Sequence, residues 1–372
     1  MTPSPCGPAT TPPDLGSPPF QAAARFAPEP IATVEPLGRG LINATFLVAT
    51  ARRRFVLQRI NARVFPDPVA IMANLRILTD HLRGTGANTP AHPLRLPGLL
   101  ATVDGADFHR DGTGEYWRAL DYIEDSRTLA RLDHPAQAEA VGRALGRFHV
   151  LAGGIDPASM RDTLPGFHIA PQYLARFDAI AARPRPADGA ALRAALDFVA
   201  ARRDGLDVLE QAKRRGELIP RVVHGDPKLD NVLFDPEGRH AVGLVDLDTV
   251  KPGLIHYDLG DCLRSCCNRQ GECERGGSAR FDLDLCRAIL EGYGAEARAL
   301  LSPADHAYLY DAIRLLPLEL GLRFLTDHLN GDVYFRVDAP GQNLERARAQ
   351  FRLAESVERQ EAAIRALTAG WA

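Results

Sequence analysis

Short apolar runs separated by turn signals occupy residues 31–123. The runs IATVEPL, ATFLVAT and RRFVLQRI are rich in β-branched and aromatic residues, which is typical of strands. Further strands are predicted at Leu99–Val103 and Tyr116–Ile123. One helix is predicted from Pro68 to Gly84, because apolar residues recur there every three or four positions. This part of the chain therefore predicts a small antiparallel sheet lobe with one helix.

After residue 124 the apolar period becomes that of helices, beginning with a stripe between residues 138 and 152. Further helices are predicted at 171–182, 190–215, 281–293, 303–330 and 342–368. The exception is 222–246, where VVHGD, NVLF and AVGLV predict short strands inserted between helices. The chain is thus predicted to be an α+β protein with a sheet lobe, residues 31–123, and a larger, mostly helical lobe, residues 124–372.

Composition excludes several classes of protein. The net charge of −3 gives none of the basic footprint that nucleic acid requires. No apolar run approaches the roughly 18 residues that span a bilayer. Residues 1–30 are rich in proline, serine and threonine and begin without a basic or hydrophobic signal segment, so they predict a disordered tail and no secretory signal.

The six cysteines are unevenly spaced and include the adjacent pair Cys266 and Cys267. This usage suits reduced thiols in the cytoplasm better than a disulfide framework. No CxxC pair supports a zinc site, and Cys262 and Cys266 lie four apart in a predicted helix. We therefore expect these thiols to be small buried apolar groups.

The stretch VVHGDPKLDNVLFD, residues 222–235, carries the strongest chemical pattern. Asp226 is followed by Lys228 and Asn231 at offsets of two and five, and the next strand ends at Asp246. A hairpin turning at DPEG would bring Asn231 and Asp246 together, and their oxygens suit a partial shell for Mg²⁺. Asp226 is a separate carboxylate that could accept a proton. Each residue alone could be an ordinary turn or strand-end residue, whereas the set is more specific.

HGDPKLDN followed by VDLDT resembles the catalytic loop and metal-binding segment of the aminoglycoside phosphotransferase and choline kinase group. The resemblance implies a protein-kinase-like two-lobed fold that uses ATP and Mg²⁺. It also implies that Asp226 is the catalytic base, that Asn231 and Asp246 bind Mg²⁺, and that Lys228 lies near the transferred phosphoryl group. The segment also resembles the HRDxKxxxxN motif of protein kinases and differs from it only in the position of the asparagine relative to the aspartate. His224 is expected to be structural.

Other segments, among them GRGLINATFLV, YWRALDYIEDS and LELGLRFLTDHLNGDVYF, resemble the N-acetylhexosamine 1-kinases. This narrower resemblance implies phosphorylation of the anomeric C1 hydroxyl of GlcNAc or GalNAc, with Asp226, Arg323 and Tyr334 as substrate residues. Alternatively, Glu319, Arg323 and Asp327 form a simple charge ladder on one helix. Two other functions stay open: an aminoglycoside or amino-alcohol kinase of the choline or homoserine type, and a non-catalytic nucleotide-binding protein.

The loop from Gly38 through Gly40 and Asn43 to Thr45 is a candidate phosphate-binding loop, because glycines let backbone N–H groups approach phosphates. The same residues could form an ordinary hairpin turn. The chain contains no GK dipeptide, which excludes a Walker A loop.

The third strand carries Gln58 where most kinase-like folds carry a phosphate-binding lysine. The resembled sugar kinases share this glutamine, so Gln58 is expected near the nucleotide. By the same resemblance, backbone groups of Asp121, Tyr122 and Ile123 hold the adenine, although the segment could be an ordinary edge strand. Asp248 and Asp258 are given no catalytic role, and either could hold the hairpin to the following helix.

Overall fold

The computed structural model describes residues 16–38, 42–85, 94–184, 189–270 and 279–369. These residues fall into two compact units. The first takes the chain up to Met72 together with Pro97–Tyr122, and the second takes Ala73–Leu96 and everything from Ile123 onward. The division after Tyr122 lies one residue from the predicted lobe boundary, whereas residues 73–96 belong to the second unit.

The first unit is built on a six-stranded sheet in which every pair is antiparallel. Its strands are β1 (Ile31–Pro36), β2 (Ala44–Thr50), β3 (Arg54–Ile60), β4 (Leu99–Leu100), β5 (His109–Arg110) and β6 (Tyr116–Asp121). The order is β1-β2-β3-β6-β4, and β5 also pairs with β6. Alternate residues Phe55 and Leu57 of β3 are buried against Trp117 of β6, as the period of two in a strand requires.

Helix α1 (Pro18–Ala23) precedes this sheet and belongs to its core, since Ala22, Ala23 and Phe26 are buried with Trp117. The disordered tail predicted for residues 1–30 was therefore wrong for residues 16–30, and residues 1–15 lie outside the described part. Pro18 and Pro19 are among the prolines that suggested disorder. They occupy the first turn of the helix, where a missing N–H removes no hydrogen bond within the helix.

Helix α2 (Pro68–Thr85) follows β3 and passes its predicted end by one residue. The helices that begin after Ile123 are α3 (Pro135–Ala152), α4 (Ala170–Ala181), α5 (Ala190–Ala200), α6 (Val208–Arg214), α7 (Ile255–Cys266), α8 (Leu283–Ala297), α9 (Pro303–Ala307), α10 (Leu309–Leu329), α11 (Gln342–Glu358) and α12 (Glu361–Ala369). The helix predicted over 190–215 is divided by a 3-10 turn at Arg203–Gly205.

The strands of the second unit lie in the segment where the sequence predicts them. They are β7 (Arg221–Val223), β8 (Val232–Phe234), β9 (Ala241–Leu244) and β10 (Lys251–Gly253). Strand β8 pairs antiparallel with β9, and β10 pairs antiparallel with β7. Strands β10 and β9 therefore lie beside β7 and β8, the two strands that flank the HGDPKLDN segment.

The cysteines Cys262, Cys266, Cys267 and Cys286 are free and buried, which confirms the expected apolar role of Cys262 and Cys266. Among the described residues no group of three or more histidine, cysteine or acidic side chains is arranged to hold a metal ion. No helix in those ranges is long and apolar enough to cross a membrane.

Helices α3 and α8 cross at glycines, which brings their backbones into direct contact. A Cβ added at Gly142 would lie 2.0 Å from the Ile289 carbonyl oxygen, and one at Gly292 would lie 2.1 Å from that of Glu139. No real contact is that short, so any side chain here must separate the two helices.

We expect Gly142→Ala to lower the free energy of unfolding by about 3 kcal/mol, because the backbone atoms opposite cannot yield as a side chain could. Gly84→Ala is the matched control in α2, where an added Cβ meets no described atom within 4 Å. Alanine there should raise stability by up to about 1 kcal/mol. Urea unfolding of both variants checks the pair, and equal stabilities would contradict the close crossing.

Candidate active site

The segment between β7 and β8 brings Asp226, Lys228 and Asn231 into direct contact. Lys228 Nζ lies 2.6 Å from Asp226 Oδ2. Asn231 Nδ2 donates to the same oxygen at 3.1 Å and to the Asp226 carbonyl at 2.7 Å. Both side-chain contacts use Oδ2, and Asp226 Oδ1 accepts no hydrogen bond from a described residue. The Asp226 side chain is 22% exposed, so Oδ1 is the oxygen left to meet an acceptor.

Residues 224–231 form the predicted catalytic loop, called the catalytic loop below, and its backbone is held by Asp258 of α7. Its Oδ2 accepts the N–H of His224 at 2.7 Å, and its Oδ1 accepts the N–H of Gly225 at 2.8 Å. His149 Nε2 lies 2.9 Å from Oδ2 as well. Asp258 is fully buried, so these contacts replace the water that would otherwise solvate the carboxylate.

His224 is completely buried and connects the catalytic loop to Val245, the residue that follows β9. Its Nε2 lies 3.1 Å from the Val245 carbonyl, and its Nδ1 accepts the N–H of Asp226 at 3.3 Å. Burial lowers the pKa of His224, which keeps the ring neutral and able to accept at Nδ1. This geometry agrees with the expected structural role.

The hairpin of β8 and β9 brings the two predicted Mg²⁺ ligands to its open end. Val232 pairs with Leu244, and the Val245 N–H donates to the Asn231 carbonyl at 2.9 Å. Asp246 follows directly with a left-handed φ of 63°, and its side chain does not cap the turn that comes after it.

The donor set fits Mg²⁺, because Asn231 turns its NH₂ group toward Asp226 and keeps its amide oxygen for another ligand. One amide oxygen and one carboxylate are a partial shell of the kind that Mg²⁺ completes with phosphates and water.

Gly225 is the residue that lets the catalytic loop pack against the turn after Asp246. Its φ is +85°, and an added Cβ would lie 2.6 Å from the Thr249 carbonyl oxygen. The Thr249 hydroxyl also donates to the His224 carbonyl at 2.9 Å. Both the backbone conformation and the space require glycine at this position.

Arg323 of α10 lies in a cage of aromatic rings. Its guanidinium carbon is 5.2 Å from the ring centres of Phe167 and Tyr173 and 5.5 Å from that of Phe335. Within the described ranges the structure gives the guanidinium these cation–π contacts and no ion pair. A partly exposed cation of this kind is suited to an anionic or polar group of a small ligand.

Groups of the predicted acceptor site and of the catalytic loop raise the pKa of Arg323. Burial alone would lower the pKa of Arg323, but Tyr173, Glu319, Tyr334 and Asp226 outweigh it and raise that pKa. Arg323 thus lies in the electrostatic neighbourhood of the catalytic loop, although about a hundred residues separate it from Asp226 in sequence.

Asp327 fixes the loop that carries Tyr334. Its carboxylate accepts the backbone N–H groups of Val333 at 3.1 Å, Tyr334 at 2.9 Å and Phe335 at 2.8 Å. Tyr334 remains 44% exposed. The interpretation of α10 as a charge ladder was therefore wrong: Asp327 holds this loop and Arg323 lies among aromatic rings. Glu319 bonds His168 at 2.9 Å.

The candidate phosphate loop of the first unit is only partly described. Gly38 has a φ of +71°, and Gly40 lies outside the described residues. The Asn43 side-chain oxygen accepts the Asn61 N–H at 2.9 Å, so Asn43 ties the loop to the end of β3. The nucleotide roles of these residues stay predictions.

Gln58 is the centre of a row of side chains across three strands, where Thr45, Gln58 and Arg118 are in register. Gln58 Nε2 donates to Thr45 Oγ1 at 3.1 Å, and Gln58 Oε1 accepts from Arg118 Nε at 3.0 Å and Nη2 at 2.7 Å. Arg118 therefore brings a buried guanidinium next to Gln58, at the strand position where the sequence predicts a nucleotide contact.

The three residues predicted to hold adenine lie at and after the end of β6. The Asp121 N–H donates to the Gly98 carbonyl at 2.9 Å. The Tyr122 ring lies 4.9 Å from the Arg54 guanidinium, and the Ile123 carbonyl accepts from Ser126 Oγ at 2.6 Å. Their role toward a nucleotide stays a prediction.

A small sheet unit, a mostly helical unit and an Asp–Lys–Asn loop beside the β8–β9 hairpin are typical of a kinase-like phosphotransferase. The chain belongs to the phosphotransferase enzyme family, whose model matches residues 33–300. It is also similar to the homoserine kinase of Rhodospirillum rubrum, with 30% identity over 297 residues that cover 79% of this chain and 78% of that protein. The chain is accordingly a small-molecule phosphotransferase.

Solved structures establish the fold. The aminoglycoside phosphotransferase of Alicyclobacillus acidocaldarius matches with a TM-score of 0.63 and 16% identity, covering 96% of this chain and 99% of that one. A microcompartment-associated aminopropanol kinase matches with the same TM-score and identity, covering 92% and 97%. A GDP complex of aminoglycoside 2'-phosphotransferase-IIIa matches at 0.57 and 16%, covering 87% and 93%. The predicted α+β, protein-kinase-like two-lobed fold is confirmed.

Proposed function

We propose that this protein is an ATP- and Mg²⁺-dependent kinase that phosphorylates a hydroxyl group of a small polar acceptor, with Asp226 as the base. The observation that supports it most is the arrangement around the Asp226 carboxylate. Lys228 and Asn231 both bind Oδ2, which orients the carboxylate and leaves Oδ1 to accept the proton.

The proposed reaction transfers the γ-phosphoryl group of ATP to the acceptor hydroxyl. Asp226 Oδ1 takes the proton of the acceptor hydroxyl, and the acceptor oxygen forms a bond to the γ-phosphorus of ATP. The bond from that phosphorus to the β,γ-bridging oxygen breaks, and ADP leaves with the electron pair. Asn231 and Asp246 would hold Mg²⁺, which would supply positive charge to the phosphates. Lys228 lies beside the base and adds a second cation.

The acceptor that we favour is a hydroxy amino acid of the homoserine type. Arg323, which has no ion pair among the described residues, offers a guanidinium suited to a carboxylate, because its fork-shaped pair of N–H donors recognises that group well. The homoserine kinase that resembles this chain over most of its length supports the same class. A polycationic aminoglycoside is disfavoured, because Arg323 would repel it.

A second candidate acceptor is the anomeric hydroxyl of GlcNAc or GalNAc. Its support is the resemblance of several segments to N-acetylhexosamine 1-kinases, and the presence of the exposed Tyr334 ring on a loop next to the Arg323 cage. An aromatic ring and an arginine together suit a sugar face and its hydroxyls.

A panel of acceptors decides between them. Purified protein with ATP and Mg²⁺ is given homoserine, GlcNAc, GalNAc, choline and kanamycin, and ADP release and the phosphorylated product are measured. Turnover of homoserine alone supports the first class, and turnover of the hexosamines alone supports the second. Nucleotide binding without turnover of any acceptor would favour a non-catalytic protein of the same fold.

Arg323→Gln is expected to lower kcat/KM for the true acceptor by about 10- to 100-fold, mainly through KM, because one charged hydrogen bond is lost. Affinity for ATP should stay unchanged. The control is Arg365→Gln on α12, since Arg365 also lies over an aromatic ring, that of Tyr310, at 4.3 Å. Equal kinetics of the two variants would remove Arg323 from the acceptor site.

A further inference from the structure

His168 is a buried histidine that binds the catalytic loop from outside it. It lies in the loop before α4, is 4% exposed and has a φ of +63°. Its Nε2 lies 2.8 Å from the Gly225 carbonyl oxygen, and its Nδ1 lies 2.9 Å from Glu319 Oε1. The carbonyl can only accept, so Nε2 carries a proton. Nδ1 faces a carboxylate oxygen, which accepts a hydrogen bond from a proton-bearing nitrogen, and although burial opposes it, Glu319 raises the pKa of His168.

Two aromatic rings pack against the ring of His168. Phe167 lies at 4.0 Å between ring centres, and Tyr257 is stacked at 5.6 Å with 21° between the planes. A left-handed backbone costs a residue with a side chain about 1–2 kcal/mol. The surrounding contacts must maintain this conformation, and its effect is to aim the imidazole at Gly225.

The Gly225 carbonyl belongs to the peptide bond that precedes Asp226. Asp258 already holds the N–H of Gly225, so His168 adds a second, independent anchor on the other side of the same residue. The plane of this peptide fixes where the Asp226 side chain begins. Glu319 is 1% exposed and lies one helical turn before Arg323 on α10, so one helix holds both this anchor and the candidate acceptor site.

We propose that His168 and Glu319 are positioning residues, which hold Asp226 in the orientation needed for proton transfer and fix it relative to Arg323. The proposal rests on the proposed function, because the position of Asp226 matters in this way only if Asp226 is the base. His256 offers a contrast, since it is also fully buried and its Nε2 also lies 2.9 Å from a backbone carbonyl, but that carbonyl belongs to Asp305 and not to the catalytic loop.

The test is chemical rescue of His168→Gly. Glycine accepts a positive φ, and the variant removes a buried imidazole that Phe167 and Tyr257 contact, which leaves space of that size. We expect kcat to fall about 10- to 100-fold with unchanged ATP binding, as for a reacting group displaced by about an ångström. Added imidazole should restore kcat, and 1-methylimidazole should not, because it has only one N–H in its protonated form. His256→Gln should keep the wild-type kcat.

Glu319→Ala gives a second route if His168→Gly fails to fold. It should lower kcat to a similar extent, and the double variant should be no slower than either single one, because both remove the same anchor. A kcat within twofold of wild type, absence of rescue in a folded variant, or additive losses would each overturn the proposal. Failure of the proposed function looks different: wild-type protein turns over no acceptor, or Asp226→Asn stays active.

Discussion

Asp226→Asn is expected to lower kcat by about 10²- to 10⁴-fold while ATP binding and stability stay near wild type. Asparagine keeps the shape of aspartate, so its oxygen can take over the bonds from Lys228 and Asn231 at the Oδ2 position. The NH₂ group then lies where Oδ1 was, and it cannot accept a proton from the acceptor hydroxyl. Steady-state kinetics with the acceptor found in the panel, together with calorimetric binding of ATP, measures both effects.

Asp230→Asn is the matched control, since Asp230 lies on the same loop and is exposed. Its kcat should stay within about twofold of wild type, because its side chain is exposed and asparagine keeps its shape. If Asp226→Asn kept more than about a tenth of the wild-type kcat, the general-base role would be untenable. Positioning of substrates would then have to provide the rate enhancement without this proton transfer.

Local patterns were sufficient to predict most of the fold and the centre of the site. Strand periodicity located β1, β2, β3 and β6, and turn residues located the β8–β9 hairpin, because both signals depend on neighbours in sequence. The spacing of Asp226, Lys228 and Asn231 survives in the structure as direct contacts. Helix α1 was missed because its prolines resemble those of a disordered tail, although Phe26 is buried in the core.

The anchors of the catalytic loop could not be derived in the same way. His168 and Glu319 are 151 residues apart, and their meeting depends on how α10 packs beside the loop before α4. The one local signal is that Glu319 stands in the apolar run LLPLELGL, where a charge requires a buried partner. The role of Asp258 could not be assigned from the sequence for a similar reason, because its three hydrogen-bond donors come from two distant segments.

Asp258→Asn is expected to lower the free energy of unfolding by about 3 kcal/mol and to lower kcat of the folded protein about 10- to 100-fold. Both carboxylate oxygens of Asp258 accept N–H groups: His224 N–H and His149 on one oxygen, and Gly225 N–H on the other. An amide has one oxygen, so its NH₂ group must face one of these donors. The unpaired N–H then pushes the loop away from α7, and Asp226 moves with it.

Asp305→Asn separates this effect from simple loss of stability. Asp305 is also 1% exposed and accepts hydrogen bonds from Arg221 and from the Ser302 N–H, yet these contacts lie outside the catalytic loop. Urea unfolding should show both variants destabilised. Kinetics at a temperature where both are fully folded should show a lower kcat only for Asp258→Asn. Equal kcat values in the two variants would mean that Asp258 stabilises the fold without positioning Asp226, and the orientation of the base would then depend on the contacts from Lys228, Asn231 and His168.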